Sequence, residues 1–175
     1  MTVSLDELRA KILEVSDFPE PGLSFQDLSP LLADPECLRT AVDLLVDWAK
    51  PRKPAIVLGA EAGGFILGGA LACALGAGFV AARRPDRSQA EIVRAEWEIE
   101  GGGGSLELET GLFPAGSRVL VHDDLLATGA TAQARVELAE QLGGEVVGVV
   151  FVVELQTLNG RRRLADHEVH SLIKL

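Results

Sequence analysis

The run Val119-Leu-Val-His-Asp-Asp-Leu-Leu-Ala-Thr-Gly-Ala-Thr131 decides how the rest of the chain is read. An apolar segment that ends in two acids, followed by small and hydroxyl residues, is expected of a buried strand that meets a ligand at its carboxyl end and then opens a helix. The strand is placed at 118–122 and the helix at 131–142. Asp123 and Asp124 are adjacent carboxylates, and their desolvation is offset by ribose hydroxyls or by a magnesium ion with its waters. After Leu125 and Leu126, the residues Ala127, Thr128, Gly129, Ala130 and Thr131 offer backbone N–H groups and two hydroxyls to a phosphate, with the positive end of the helix dipole behind them. The pattern is that of a sugar-phosphate cradle. A triphosphate loop is excluded by the lack of GK[ST], and a dinucleotide fingerprint by the lack of GxGxxG. The alternative is a helix N-terminus with a capping acid and no ligand.

Working outward, the helix is followed by a strand at 146–155, and a short strand at 169–173 closes an edge. Upstream, a strand at 55–58, a helix at 64–75 and a strand at 79–83 have the spacing of a βαβ unit. The two strand-helix-strand halves build one parallel sheet with right-handed crossovers. A polar segment, 84–91, leads to alternating stretches at 92–99 and 105–109, read as an antiparallel hairpin with a mobile tip at the glycines 101–104. At the start, Ser4 caps a helix over 5–15 that puts Leu5, Leu8, Ile12 and Val15 on one face. A Pro-rich loop at 17–22 precedes Phe25 and Asp27. A second helix, capped by Asp34 with Pro35 in its first turn, carries Leu38, Ala41, Val42, Leu45, Trp48 and Ala49 and ends near Pro51. The fold class is α/β: a central, mostly parallel sheet flanked by helices, with a hairpin flap at 84–109 and a small N-terminal hood at 1–35, all in one domain.

The composition agrees. A length of 175 residues suits one domain, and 47% hydrophobic residues with 19 Gly and 5% aromatics suit aliphatic strands and tight turns near ligands. A formal charge of -10 excludes a broad nucleic-acid or membrane surface, because polyanions are repelled before any local contact forms. The uncharged stretch 62–82 has the length of a membrane span, but its glycines divide it into loop, helix, turn and strand. Cys37 and Cys73 have no CxxC partner, so neither a metal site nor a disulfide framework is expected. The first residues lack the order of a secretory signal, and a reducing cytosol is the expected location.

The run 119–131 resembles the phosphoribosyl pyrophosphate motif of type I phosphoribosyltransferases, and in particular of adenine phosphoribosyltransferases. Residues 17–36, 59–80 and the closing VEL and HSLIKL segments are similar to that family in order and spacing, so the resemblance covers nearly the whole chain. It implies a type I phosphoribosyltransferase fold and transfer of a 5-phosphoribosyl group from phosphoribosyl pyrophosphate to adenine, giving AMP and pyrophosphate, with Mg2+ as cofactor and a homodimer as the assembly. Asp123 and Asp124 would hold the ribose hydroxyls, and residues 127–131 the 5-phosphate. The turn 59–64, with Glu61, Ala62 and Gly63, would meet the pyrophosphate. Phe25 would stack on the adenine while the backbone at Ser24 and Gln26 reads its polar edge. Arg83, Arg84 and Arg87 would belong to a basic loop that closes over the leaving group, and Glu100 would exchange a proton with the purine.

The chain departs from that family at ligand-facing positions. Gly63 stands where the family usually has Arg, Gly101 where a Tyr is common, Ala130 where the phosphate loop has a second Gly, and Ser88-Gln89 where Leu-Pro is frequent. These departures leave two other readings open: a sensor that binds phosphoribosyl pyrophosphate or AMP without turnover, and an enzyme for another purine. Other polar and aromatic residues have plainer expectations. His122 should point away from Asp123 as a packed or solvated histidine, residues 161–163 should form a solvated basic face, and Trp48 and Trp97 should pack. His167, Glu168 and His170 lack a metal spacing.

Overall fold

The Glu7 amide donates to Ser4 Oγ at 3.2 Å while the Ser4 amide donates to Glu7 Oε2 at 2.8 Å, a capping box that starts α1 (Leu5–Ala10). The computed structural model describes residues 3–16, 24–85, 91–99 and 102–175. The Pro-rich loop and the Ser88-Gln89, Arg87, Glu100 and Gly101 positions lie outside them. Chain contacts divide the fold into two compact units, Met1–Leu44 and Leu45–Leu175.

In the first unit, α1 ends five residues before the expected Val15. Leu13–Ser16 instead forms β1, paired antiparallel with β2 (Ser24–Asp27) so that Val15 faces Phe25. Only Leu8 of the supposed helical stripe is fully buried, and Leu5 and Leu13 are about half exposed. With so little burial to favour the helix, β-branched Val15 goes to the strand, where its stiff χ1 costs nothing. A short helix that the sequence did not suggest, α2 (Ser29–Ala33), begins with the Ser29 amide donating to Asp27 Oδ1 at 2.8 Å. Helix α3 (Pro35–Ala49) starts as expected, Asp34 Oδ1 accepting from the Glu36 and Cys37 amides.

The second unit holds β3 (Ile56–Ala60), α4 (Gly63–Leu75), β4 (Gly78–Ala82), β5 (Ile92–Ile99), β6 (Gly102–Glu109), β7 (Arg118–Leu126), α5 (Ala130–Gln141), β8 (Glu145–Glu154) and β9 (Val169–Lys174). Five strands form one parallel sheet in the order β4-β3-β7-β8-β9, with β9 on the expected edge. Val119, Val121, Val149 and Phe151 are wholly buried in its core, as the near-continuous apolar runs of a sheet covered on both faces require.

Strands β5 and β6 form the anticipated hairpin, but the glycines 102–104 belong to β6. Trp97 explains this, because its ring covers cross-strand Gly104 so closely that a Cβ there would sit 2.6 Å from it. An aromatic laid over glycine supplies the packing the strand otherwise lacks. A bridge from Arg83 to Glu107 ties the hairpin to the end of β4. Among the basic run 161–163, Arg161 departs from the expected solvated face. It forms a forked ion pair with buried Glu154, both contacts 2.7 Å, and donates to the Val169 carbonyl. Trp48 packs as expected, stacked on His170 with ring centroids 5.1 Å apart.

Candidate active site

Strand β7 runs through Leu126, so Asp123 and Asp124 lie within its last residues, with Asp123 level with Phe151 of β8. The ladder bonds of β8 extend the strand beyond the expected His122. Alternation then sends neighbouring side chains to opposite faces. His122 is fully buried under α4, its Nδ1 3.2 Å from the Val150 carbonyl, and burial pushes its pKa down to about 4. It is a packed, neutral histidine.

The two acids take different environments. Asp123 is buried at 8% exposure, with Oδ2 2.5 Å from Nη1 of Arg135 on α5. Burial raises its pKa to about 7, Arg135 opposes the rise, and Asp124 adds to it. Asp124 is half-buried and reaches across to the start of α4. A Cβ placed on Gly63 would fall 1.9 Å from its Oδ2. The position where the family usually has Arg is therefore the space into which this chain puts a carboxylate. Sequence reasoning missed Arg135, although a lone guanidinium on the otherwise small and apolar buried face of α5 was a legible signal.

The turn from β7 to α5 is built by backbone shape. Gly129 caps the helix with φ +79°, and a Cβ on it would lie 2.4 Å from the carbonyl oxygen of Gly160. Gly160 in turn leaves no room for a Cβ beside the Ala127 carbonyl. Ala130 is the first helical residue and is buried, so the positive φ that the turn needs falls on Gly129 alone. Thr128 and Thr131 are half-buried and Leu125 lies in β7.

The turn from β3 to α4 gathers charge from side chains. Glu61 and Ala62 are exposed, and the peptide between them is cis. Arg83, at the end of β4, reaches Glu61 with Nη1 3.3 Å from Oε1 and lies over the Phe65 ring. A cation thus stands at this turn without coming from position 63. Arg84 is exposed in a cleft lined by Pro85, Trp97 and Ser105. Arg87 and Glu100 fall outside the described residues. Ser24, Phe25 and Gln26 share β2 in the other unit, with Phe25 44% exposed.

Within the second unit, the geometry joins an acid pair, a backbone-lined helix turn and a basic-flanked second turn at the carboxyl ends of adjacent parallel strands. Such a set is suited to a sugar carrying phosphate groups on either side. Residues 35–173 match the model of the phosphoribosyl transferase domain. An adenine phosphoribosyltransferase of Francisella philomiragia is 43% identical over 98% of this chain and 99% of its own length. The crystal structure of the adenine phosphoribosyltransferase from Thermoanaerobacter pseudethanolicus superposes with a TM-score of 0.94 at 40% identity, covering 98% of this chain and all of that one. The Saccharomyces cerevisiae enzyme, solved with an imino-altritol bisphosphate and adenine, superposes with a TM-score of 0.89 at 35% identity over 96% of this chain and 97% of its own. On its sequence and its fold alike, this chain belongs to the phosphoribosyltransferase family, among the adenine phosphoribosyltransferases.

Proposed function

We propose that the chain is a purine-salvage enzyme that transfers the 5-phosphoribosyl group of phosphoribosyl pyrophosphate to adenine, releasing pyrophosphate and AMP. The observation that carries this reading is the division of labour at the two turns: an acid pair beside a Gly129-capped helix for the ribose 5-phosphate, and the Glu61-Arg83 turn for the leaving group. Backbone N–H groups of 127–131 take the 5-phosphate, and Asp124 accepts from the ribose hydroxyls. As the glycosidic carbon loses pyrophosphate, negative charge grows on the departing oxygens and positive charge on the sugar. Arg83, Arg84 and Arg87 neutralise the first, and the carboxylates face the second. Residues 84–109 close over the pyrophosphate and exclude water. Phe25, with the backbone of Ser24 and Gln26, reads adenine, and Glu100 exchanges a proton with the purine.

Magnesium is the proposed cofactor. The hard oxygens of half-buried Asp124 fit it, and Gly63, having no side chain, leaves room for that carboxylate. Among the described residues no three His, Cys, Asp or Glu side chains converge on one point. When bound, Mg2+ would be held mainly through the substrate, with Asp124 as the side chain beside it, and would supply charge neutralisation to the leaving pyrophosphate.

A homodimer is the proposed assembly. Helix α4 carries no charge, and Ile66, Ala70, Cys73 and Ala74 leave an apolar face exposed, with Ile66 at 56%. A helix that is apolar all round is ordinarily covered. Light scattering on the Ile66→Glu variant should give half the mass of the parent. No described helix is long and apolar enough to cross a membrane. A cytoplasmic location is part of the proposal.

Incubation with Mg2+, phosphoribosyl pyrophosphate and each purine base, followed by nucleotide chromatography, tests the reading. AMP should form with adenine. Saturable binding with no nucleotide above background would establish the sensor instead, which the carboxylate at Gly63 favours, and product with a different base would establish another purine specificity.

A further inference from the structure

We infer that Arg135 is a positioning residue of the sugar-phosphate site: from the buried face of α5 it holds Asp123 under the ribose position, while Asp124 is left to meet the ligand. The inference rests on the sugar-phosphate reading of that site.

The buried residues of α5 are Ala130, Ala132, Ala134, Arg135, Val136, Leu138 and Ala139, and Arg135 is the sole charge among them. Its exposure is 3%. A guanidinium so buried is tolerated only against an anion, and its partner is Asp123 at 2.5 Å. Nη1 is close to that carboxylate yet not aligned for a hydrogen bond, and among the described residues Nε also lacks an acceptor. Among the described residues, the anion that Arg135 meets is Asp123. A group held merely to fill space would not be the most strongly hydrogen-bonding side chain available.

The groups facing Asp123 can be named. Arg135 comes from α5 and Asp124 from its own strand. Helix α4 presents the Gly64 backbone, whose Cβ position is 3.3 Å from Asp123 Oδ1, and β8 presents Phe151. Among the described residues, Arg135 is thus the cation set against Asp123, with a second carboxylate adjacent, at a site proposed for an anionic substrate. It performs from beneath the neutralisation that Gly63 has no side chain to perform from the α4 side. With Arg135 removed, the Asp123 carboxylate loses the cation that fixes it beside Asp124.

Titration calorimetry with AMP at about pH 8, where the phosphate of AMP is fully ionised in every variant, tests this on the parent chain and on Arg135→Met and Arg135→Lys, with urea unfolding to verify each fold. Arg135→Met should bind AMP about tenfold more weakly, in the range typical of residues that orient a ligand-binding group, and Arg135→Lys should restore most of the affinity. An Arg135→Met chain with the parent's affinity overturns the inference. So does a loss that Arg135→Lys does not rescue, since that is a packing defect. Should Arg135→Met fail to fold, a cycle with Asp123→Asn decides: Arg135→Gln should weaken binding in the parent and add nothing to Asp123→Asn, and equal losses in both backgrounds overturn the inference. A parent chain that binds no AMP sinks the sugar-phosphate reading itself.

Discussion

The two turns that open α4 and α5 follow sheet strands in the same way, yet they are made from different materials. The α5 turn is a matter of backbone: Gly129 takes the left-handed conformation, Gly160 packs against it, and no charged side chain shapes the loop. The α4 turn is a matter of charge: Glu61 and Arg83 pair across it, and Asp124 occupies the space beside Gly63. A backbone cradle requires particular small residues at particular positions. A charged turn requires only that a cation arrive from somewhere, and here it arrives from β4.

Substitutions can break this contrast. Asp124→Ala removes the carboxylate that serves both turns, and AMP formation should fall by about a hundredfold, the loss typical of misplacing a reacting sugar. An unchanged rate would remove Asp124 from the ribose site. Gly129→Ala attacks the backbone turn. The left-handed conformation and the Gly160 carbonyl together should cost about 2 kcal/mol or more in unfolding free energy, read by urea titration, with weaker AMP binding. A fully stable variant would mean that the turn adapts.

Gly63→Ala sharpens the charged side of the comparison. Position 63 has no positive φ, so alanine fits the backbone, and the nearest atoms its methyl meets are those of the Asp124 carboxylate. Displacing that side chain should change KM for phosphoribosyl pyrophosphate on the order of threefold with kcat less affected, as expected for a shift in one charge-assisted contact. Equal KM values would show that Asp124 leaves Gly63 in the complex regardless. The smallest effect is expected for Ala130→Gly, which restores the family's second glycine at a position with ordinary helical φ. It should leave AMP binding unchanged and lower stability by about 1 kcal/mol at most. A gain in binding would show that the second glycine matters to the ligand.

The βαβ units, the hairpin between them and the small-residue turn that opens α5 were all legible in the sequence, because aliphatic runs, glycines and a capping pattern act over a few residues. The failures came where a distant partner decides. Val15 left its helix for a strand because Phe25 lies opposite it, and the glycines 102–104 entered β6 because Trp97 covers one of them. Arg161 was placed in solvent because nothing local announces Glu154 as its partner.

The candidate site divides along the same line. Sequence alone determined that two acids lie near the carboxyl end of a buried strand and that small residues follow, since both are properties of consecutive residues. Tertiary structure decided that Asp123 belongs to Arg135 and Asp124 to the space at Gly63, because burial and ion pairing depend on which helix lies against which face of the sheet. Helices α4 and α5 both reach β7. That contact sends one carboxylate to each.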